Sequence, residues 1–246
     1  MSFLEHLEEL RQRLLRSVIS IIVGFGVCFY FRETIYGYLA KPLTDTLHAL
    51  HMSDKLVYTN PIDPFNLYLK ISAMAGIFVA SPYILWQLWL FISPGLYRHE
   101  KRYVWPFVLM TSGLFISGGL FAYKLAFPPA LRFLLEFGHR FQPMVTINEY
   151  FSIAMTIIVG VGVIFELPVL ILVLSLFGIV TPKFLLRQMR YAVLLTAVLA
   201  AAIAPTPDMA TLFMLWIPMV GLYIVSIGLS WLVYVRRKRK QKRAQA

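Results

Sequence analysis

Residues 150–182 read YFSIAMTIIVGVGVIFELPVLILVLSLFGIVTP, and Glu166 is the single charged side chain among them. A helix needs ~20 apolar residues to cross the hydrocarbon core of a bilayer. This run is longer, so lipid is the solvent for this part of the chain. A carboxylate near the bilayer centre costs on the order of 2.5–3.5 kcal/mol on insertion scales and marks a functional position by default. Pro168 follows next but one, and inside a helix it removes an N–H and bends the axis. Composition extends the same reading outward. The 246 residues are 59% hydrophobic and 14% charged, where soluble domains carry about 25% charged residues.

Uncharged runs predict an all-α polytopic membrane protein, one integral membrane domain over residues 1–246 with six transmembrane helices. The spans fall at about 17–38, 68–93, 103–124, 150–178, 188–204 and 209–235. The first extends towards Tyr38 if Arg32 snorkels. Residues 1–16 form an amphipathic helix that runs into the first span, and 236–246 form a basic tail. Lys and Arg concentrate in the N-terminal segment, around 98–102, around 183–190 and in the tail. The positive-inside rule then places both termini in the cytoplasm, as an even number of spans requires. Outer segments 32–70 and 124–149 read as caps with interfacial helices, the first carrying Leu43, Leu47 and Leu50 on one face. Pro205-Thr206-Pro207-Asp208 is a tight outer turn between the last two spans. Prolines inside the spans, Pro82, Pro106, Pro168 and Pro218, bend them and favour a concave bundle over a straight cylinder.

Several function classes drop out. The lone Cys28 allows no intrachain disulfide, and the five histidines lack carboxylates at ligand spacing, so no metal and no cofactor is expected. No catalytic triad, phosphate loop or nucleotide motif appears, so no enzyme is expected. The net charge of +11 sits at the ends of apolar runs, which is a membrane pattern and not a nucleic-acid one. No cleavable signal peptide is evident, and the first span is expected to be retained.

Five constellations carry polar chemistry. In the N-terminal helix, Phe3, Leu7, Leu10 and Leu14 share an apolar face, after a capping-box pattern from Ser2 to Glu5. Its polar face holds Glu5, Glu8, Glu9, Arg11, Arg13 and Arg16, which reads either as a solvated face with Glu9–Arg13 and Glu8–Arg11 pairs or as a binding surface. The loop 94–102 sets Glu100 among Arg98, His99, Lys101 and Arg102, either as charge balance or as a site. Glu166 is either a functional acid or structural glue to a neighbouring helix. Asp208 caps the last helix. The tail anchors on anionic membrane lipid.

Taken together these segments resemble the TatC family, the multi-span subunit of the twin-arginine protein translocase. The resemblance rests on His6-Leu7-Glu8-Glu9-Leu10-Arg11, and on Ser81-Pro82 with Gln87, Trp89 and Phe91. It continues through Pro94, Leu96-Tyr97, His99-Glu100-Lys101-Arg102, Phe165-Glu166-Leu167-Pro168-Val169 and Ala204-Pro205-Thr206-Pro207-Asp208. The family binds the twin-arginine signal peptide of folded export substrates and is driven by the proton-motive force. The resemblance implies that Glu9 and Glu100 receive the two arginines, with Arg11, Phe91, Pro82, Gln87 and Pro42 in support, and Pro42 reads as a turn position in the segment 32–70, as Asp208 does in the turn 205–208. It implies that Leu7 and Leu10 set the angle of the first helix. It also makes Glu166 an intramembrane polar site in the concave face. Small single-span subunits of the TatA/TatB type are implied as partners near the fifth span, with self-association and no nucleic acid. The implied location is the cytoplasmic (inner) membrane of a bacterium or archaeon. Two other classes remain open on the residues alone: a proton-coupled transporter of a small solute with Glu166 as relay, and a membrane scaffold without a ligand.

Overall fold

The computed structural model describes residues 3–51, 56–92, 104–138 and 144–244, and among them every regular element is helical. The first helix, α1 (Phe3–Tyr30), is unbroken, so the amphipathic piece and the first apolar run are one element. No proline interrupts it. It ends at Tyr30 and does not run on to Tyr38. Phe31 leaves helical geometry at φ −95° and ψ 19°, and α2 (Arg32–Ala49) begins at the next residue. Arg32 is half-buried, with its guanidinium 5.1 Å over the Phe29 ring and 5.7 Å over the Tyr68 ring, a cation–π arrangement.

The chain continues through α3 (Asp63–Ile92), α4 (Val104–Phe121), a π-helical turn (Ala122–Ala126) and α5 (Phe127–Phe137). The third apolar run was expected to stop near residue 124, but the helix carries on to Phe137. Pro128 and Pro129 explain the π turn. Their rings would crowd the carbonyls one turn back, and a widened turn makes room without ending the helix. Next come α6 (Ile147–Ile164) and α7 (Leu167–Leu176), separated by a break at Phe165 and Glu166. They are followed by α8 (Pro182–Arg187), α9 (Met189–Ile203) and α10 (Met209–Ala244).

Among the described residues, five helical stretches are long and apolar enough to cross a membrane: Glu5–Tyr30, Asp63–Phe91, Phe107–Phe137, Ile147–Leu176 and Met209–Val235. The shorter apolar helix α9 has 15 residues, a length of about 22 Å against a hydrocarbon core of ~30 Å. The protein is a multi-pass membrane protein whose fifth apolar segment falls short of a full crossing.

One pole of the molecule is capped by α2 and by the segments leading into α3 and α6. Val57 and Thr146 form a parallel bridge, with the Val57 N–H donating to Val145 at 3.0 Å and the Ile147 N–H donating to Val57 at 2.9 Å. Leu43 and Leu47 of α2 are fully buried in the main core. Pro42 was read from the sequence as a turn position, but it lies buried inside α2. The reason is a substitution of hydrogen bonds. Pro42 offers no N–H to the carbonyl of Tyr38 one turn earlier, and that carbonyl accepts the Tyr123 hydroxyl instead. Beside it, the Leu39 carbonyl accepts the Tyr150 hydroxyl at 2.7 Å. Pro82, inside α3, follows the same logic, since the Phe78 carbonyl one turn back accepts the Ser81 hydroxyl at 2.7 Å.

The main core gathers Leu43, Ile71, Phe127, Phe151, Ile157 and Leu215 among others, and no described α1 residue joins it. Among the described elements α1 packs extensively on α3 alone, α3 packs on α4, α4 on α6, and α10 on α7 and α9. This is an open row of helices with α1 at one edge. Gly24 and Gly76 set the α1–α3 contact. A Cβ on Gly24 would lie 2.7 Å from the Gly76 carbonyl oxygen, and one on Gly76 would lie 2.7 Å from the Phe25 nitrogen. The helices therefore touch backbone to backbone, as small residues permit in membranes. The two run antiparallel, with Gly24 against Gly76 and Arg13 against Gln87.

Candidate functional site

The α1–α3 contact brings the N-terminal polar face to the end of α3. On α1, Glu9 and Arg13 lie one turn apart, a spacing that places side chains on one helix face. Arg13 donates from Nε to Glu9 Oε1 at 3.0 Å, and its Nη2 reaches the same oxygen. Arg13 Nη1 donates across to Oε1 of Gln87 on α3 at 3.4 Å. Gln87 is buried, while the Arg13 and Glu9 side chains keep 18% and 21% of their surface. Glu9 Oε2 is buried and has no hydrogen-bond partner. One turn towards the N-terminus, the His6 ring stacks on Phe91 of α3 with centroids 4.5 Å apart and planes inclined by 17°.

Arg13 thus links Glu9 to Gln87, and one turn away on α1 His6 meets Phe91. Arg11 does not join them. It is exposed, and two residues along a helix turn it to the face away from Glu9. Pro82 is also exposed and sits more than a turn from Gln87. Its part in α3 is the bend, not a contact with Glu9. Leu7 and Leu10 are 45% and 40% exposed. Glu100 and the loop around it, residues 93–103, lie outside the described residues, as does Ser2 of the capping-box pattern. Of the two pairs expected on this face, Glu9–Arg13 forms and Glu8–Arg11 is not among the ion pairs of the described residues.

Below this cluster a groove of about 410 Å³ runs between α1 and α3. Ile19, Val23, Val27, Val79 and Ala80 line its length, with Arg16 and Tyr83 towards the end nearer Glu9. From Arg16 to Val27 the helix rises roughly 16 Å, about half the hydrocarbon thickness of ~30 Å.

Glu166 is a separate feature. It occupies the α6–α7 break, where its N–H donates to Val163 at 3.1 Å and its carbonyl accepts from Val169 and Leu170, both at 3.0 Å. Pro168 makes the break, because it withholds the N–H that Ile164 would receive in a continuous helix. Glu166 Oε1 is buried without a hydrogen-bond partner. An unpartnered buried polar atom costs about 1–3 kcal/mol, so this position carries strain that packing elsewhere must offset.

At the start of α10, Asp208 Oδ2 accepts the Thr211 N–H at 2.7 Å, which is an N-cap. Partial burial pushes its carboxyl up, but the hydrogen bonds it accepts at this helix start outweigh that and hold it below the usual carboxylate range. Among the described residues, no group of three His, Cys, Asp or Glu side chains is placed to hold a metal ion.

Comparison with known proteins adds the family. The family model described as "TatC: Sec-independent protein translocase protein (TatC)" matches residues 5–218. A protein of Koribacter versatilis (strain Ellin345), named "Sec-independent protein translocase protein TatC", is 49% identical over 245 residues, covering 100% of this chain and 90% of that one. One of the same name from Aquifex aeolicus (strain VF5) is 37% identical over 245 residues, covering 98% and 100%. A solved structure described as "Crystal Structure of Twin Arginine Translocase Receptor- TatC" superposes with a TM-score of 0.79 at 37% identity, covering 93% of this chain and 99% of that one.

Proposed function

The chain belongs to the TatC family of Sec-independent protein translocase proteins, and on that premise we propose that it is the signal-peptide receptor and core subunit of a twin-arginine translocase that exports folded proteins. One observation carries the site assignment. Glu9 is held partly buried where α1 meets α3, beside Gln87 and Phe91, with one carboxylate oxygen lacking a partner. A guanidinium pairs with a carboxylate through two parallel N–H donors, and an ammonium cannot reproduce that fork. Glu9 receives one signal arginine and Glu100 the other.

An exposed ion pair contributes only about 0–1 kcal/mol, but a charge-assisted fork to the partly buried Glu9 is worth about 1.5–3 kcal/mol, and the arginines thereby set the selectivity on top of the affinity of the apolar stretch. The apolar stretch of the signal supplies the affinity, at ~25 cal/mol per Å² buried. The α1–α3 groove opens about one turn below Arg13 and about two below Glu9, and it offers an apolar wall of suitable depth. Arg16 at its upper end keeps its aliphatic stem against the wall and its charge in the headgroup layer.

Glu166 serves a later step, as the polar site met when the signal inserts or when partner helices arrive. Among the described residues the open row encloses no aqueous conduit for a folded protein, so the conduit is assembled with small single-span subunits of the TatA/TatB type and further copies of this chain. α9 suits such docking. It is short, and Tyr191, Leu194, Leu195 and Val198 on it are more than half exposed. Both termini lie in the cytoplasm and the protein sits in the cytoplasmic membrane, with the proton-motive force as the energy source and no catalytic reaction of its own.

The test is equilibrium binding of a signal peptide carrying Arg-Arg, with a Lys-Lys control, to the full chain in nanodiscs. The proposal predicts binding of Arg-Arg at least tenfold tighter than Lys-Lys, the ratio that one lost charge-assisted fork of about 1.5 kcal/mol produces. Equal binding of the two peptides would sink the receptor assignment.

A further inference from the structure

Arg13 is the residue at this site that the receptor reading leaves unused, and it stands where the ligand must go. Two of its nitrogens, Nε at 3.0 Å and Nη2, already hold Glu9 Oε1. The other oxygen, Oε2, is buried. An arriving guanidinium therefore meets a carboxylate whose accessible oxygen is taken and whose free oxygen is covered. We propose that Arg13 is the resident occupant of the receptor carboxylate and that a signal arginine engages Glu9 by displacing it. The proposal rests on the reading that Glu9 receives a signal arginine.

The geometry gives Arg13 somewhere to go. Its Nη1 already reaches Gln87 Oε1 at 3.4 Å, and 18% of its side chain faces solvent. Released from Glu9, the guanidinium keeps the Gln87 amide oxygen and gains water, so displacement strands no buried charge. The consequence is a threshold. A ligand that needs a minor state binds with its intrinsic affinity reduced by the fraction of molecules in that state. The resident pair lowers the affinity of every ligand by one factor and leaves the Arg-to-Lys ratio to the geometry of Glu9. Ligands with one basic residue or a short apolar run fall below the threshold, while a signal with two arginines and a long apolar run clears it.

The experiment uses the full chain in nanodiscs, with fluorescence anisotropy of the Arg-Arg and Lys-Lys peptides. Arg13→Gln is expected to tighten both Kd values by the same factor, about three- to tenfold, as loss of a half-buried competing pair implies. A residue that only supports the fold loses binding when replaced, so a gain is specific to the displacement. Arg13→Lys keeps the charge and gives up the fork, and it is expected to show a smaller gain. A gain in Arg13→Gln with none in Arg13→Lys would reduce the effect to long-range charge and overturn the proposal. Unchanged or weaker Arg-Arg binding in both variants would do the same and would make Arg13 a support for Glu9. If Arg13→Gln does not fold, the sign of the change in Arg13→Lys decides alone. Glu9→Ala, run in parallel, separates the two levels. Wild-type binding there would remove Glu9 from the receptor site itself.

Discussion

Gly76→Val is expected to unseat α1 from α3 and lower the stability of the protein by on the order of 3 kcal/mol, at the upper end of overpacking penalties. In lipid, helices gain little from burying apolar surface against one another, and close packing of small residues carries much of their association. α1 has little else to hold it. It packs extensively on α3 alone and contributes nothing to the described main core. At the crossing a new Cβ would meet the Phe25 nitrogen at 2.7 Å and the Gly24 carbonyl carbon at 3.0 Å. These are backbone atoms of a helix, and they cannot swing aside as a side chain can. Valine at Gly26, where nothing lies within 4 Å, is the matched control. Thermal unfolding in detergent should show the Gly76 variant well below wild type and the Gly26 variant close to it. Two equal curves would mean that the glycine contact does not hold α1 in place. The effect reaches function, because Glu9 and Gln87 belong to the two helices that this contact joins.

Replacing both proposed receptor carboxylates, Glu9→Ala with Glu100→Ala, is expected to weaken Arg-Arg peptide binding by about 100-fold or more while leaving the fold intact. Each lost charge-assisted contact is worth about 1.5–3 kcal/mol in a partly desolvated site, and tenfold in affinity is 1.4 kcal/mol. The fold should survive because, among the described residues, Glu9 pairs with its own helix neighbour Arg13, and such a pair is worth about 1 kcal/mol or less to the fold. The Lys-Lys peptide should lose far less, which brings the two peptides together. A double variant that still prefers Arg-Arg tenfold would place the recognition elsewhere.

The broad architecture was legible because lipid imposes it. Apolar runs longer than ~20 residues have few alternatives to a helix, and 150–182 announces one without any alignment. The Asp208 cap was legible for a local reason, since a carboxylate just before a helix has a donor waiting. What escaped reading depends on partners distant in sequence. Pro42 looked like a turn because proline breaks an isolated helix. It sits inside α2 because Tyr123 reaches across to the carbonyl that it leaves free. The helical continuation to Phe137 was missed because the uncharged run ends at Lys124, whereas a π turn over Ala122–Ala126 carries the helix past that charge and past Pro128 and Pro129.

The α1–α3 contact left a trace that is clear in hindsight. Ser20, Gly24 and Cys28 recur every fourth residue on α1, as Ser72, Gly76 and Ala80 do on α3. Antiparallel register through the glycine contact sets these two small-residue stripes face to face. At the candidate site, the spacing of Glu9 and Arg13 allowed the ion pair, yet it could not show that Arg13 also reaches Gln87. That link needs the tertiary contact. Arg11 and Pro82 share motifs with the site residues without sharing their helix faces, and a linear motif does not distinguish the two cases.

The most direct measurement is photo-crosslinking from position 12 of the full chain in nanodiscs, with a photoactivatable residue in place of the exposed Gln12, less than one turn from Glu9, and with Glu9 and Glu100 left intact. The ligand is an Arg-Arg signal peptide, and the comparison is its Lys-Lys counterpart at equal concentration. The account predicts a crosslink to Arg-Arg at the residues flanking the arginine pair and little or none to Lys-Lys. Equal crosslinking of the two peptides, or none to either with the protein shown to be folded, would contradict a receptor site built on α1 and α3.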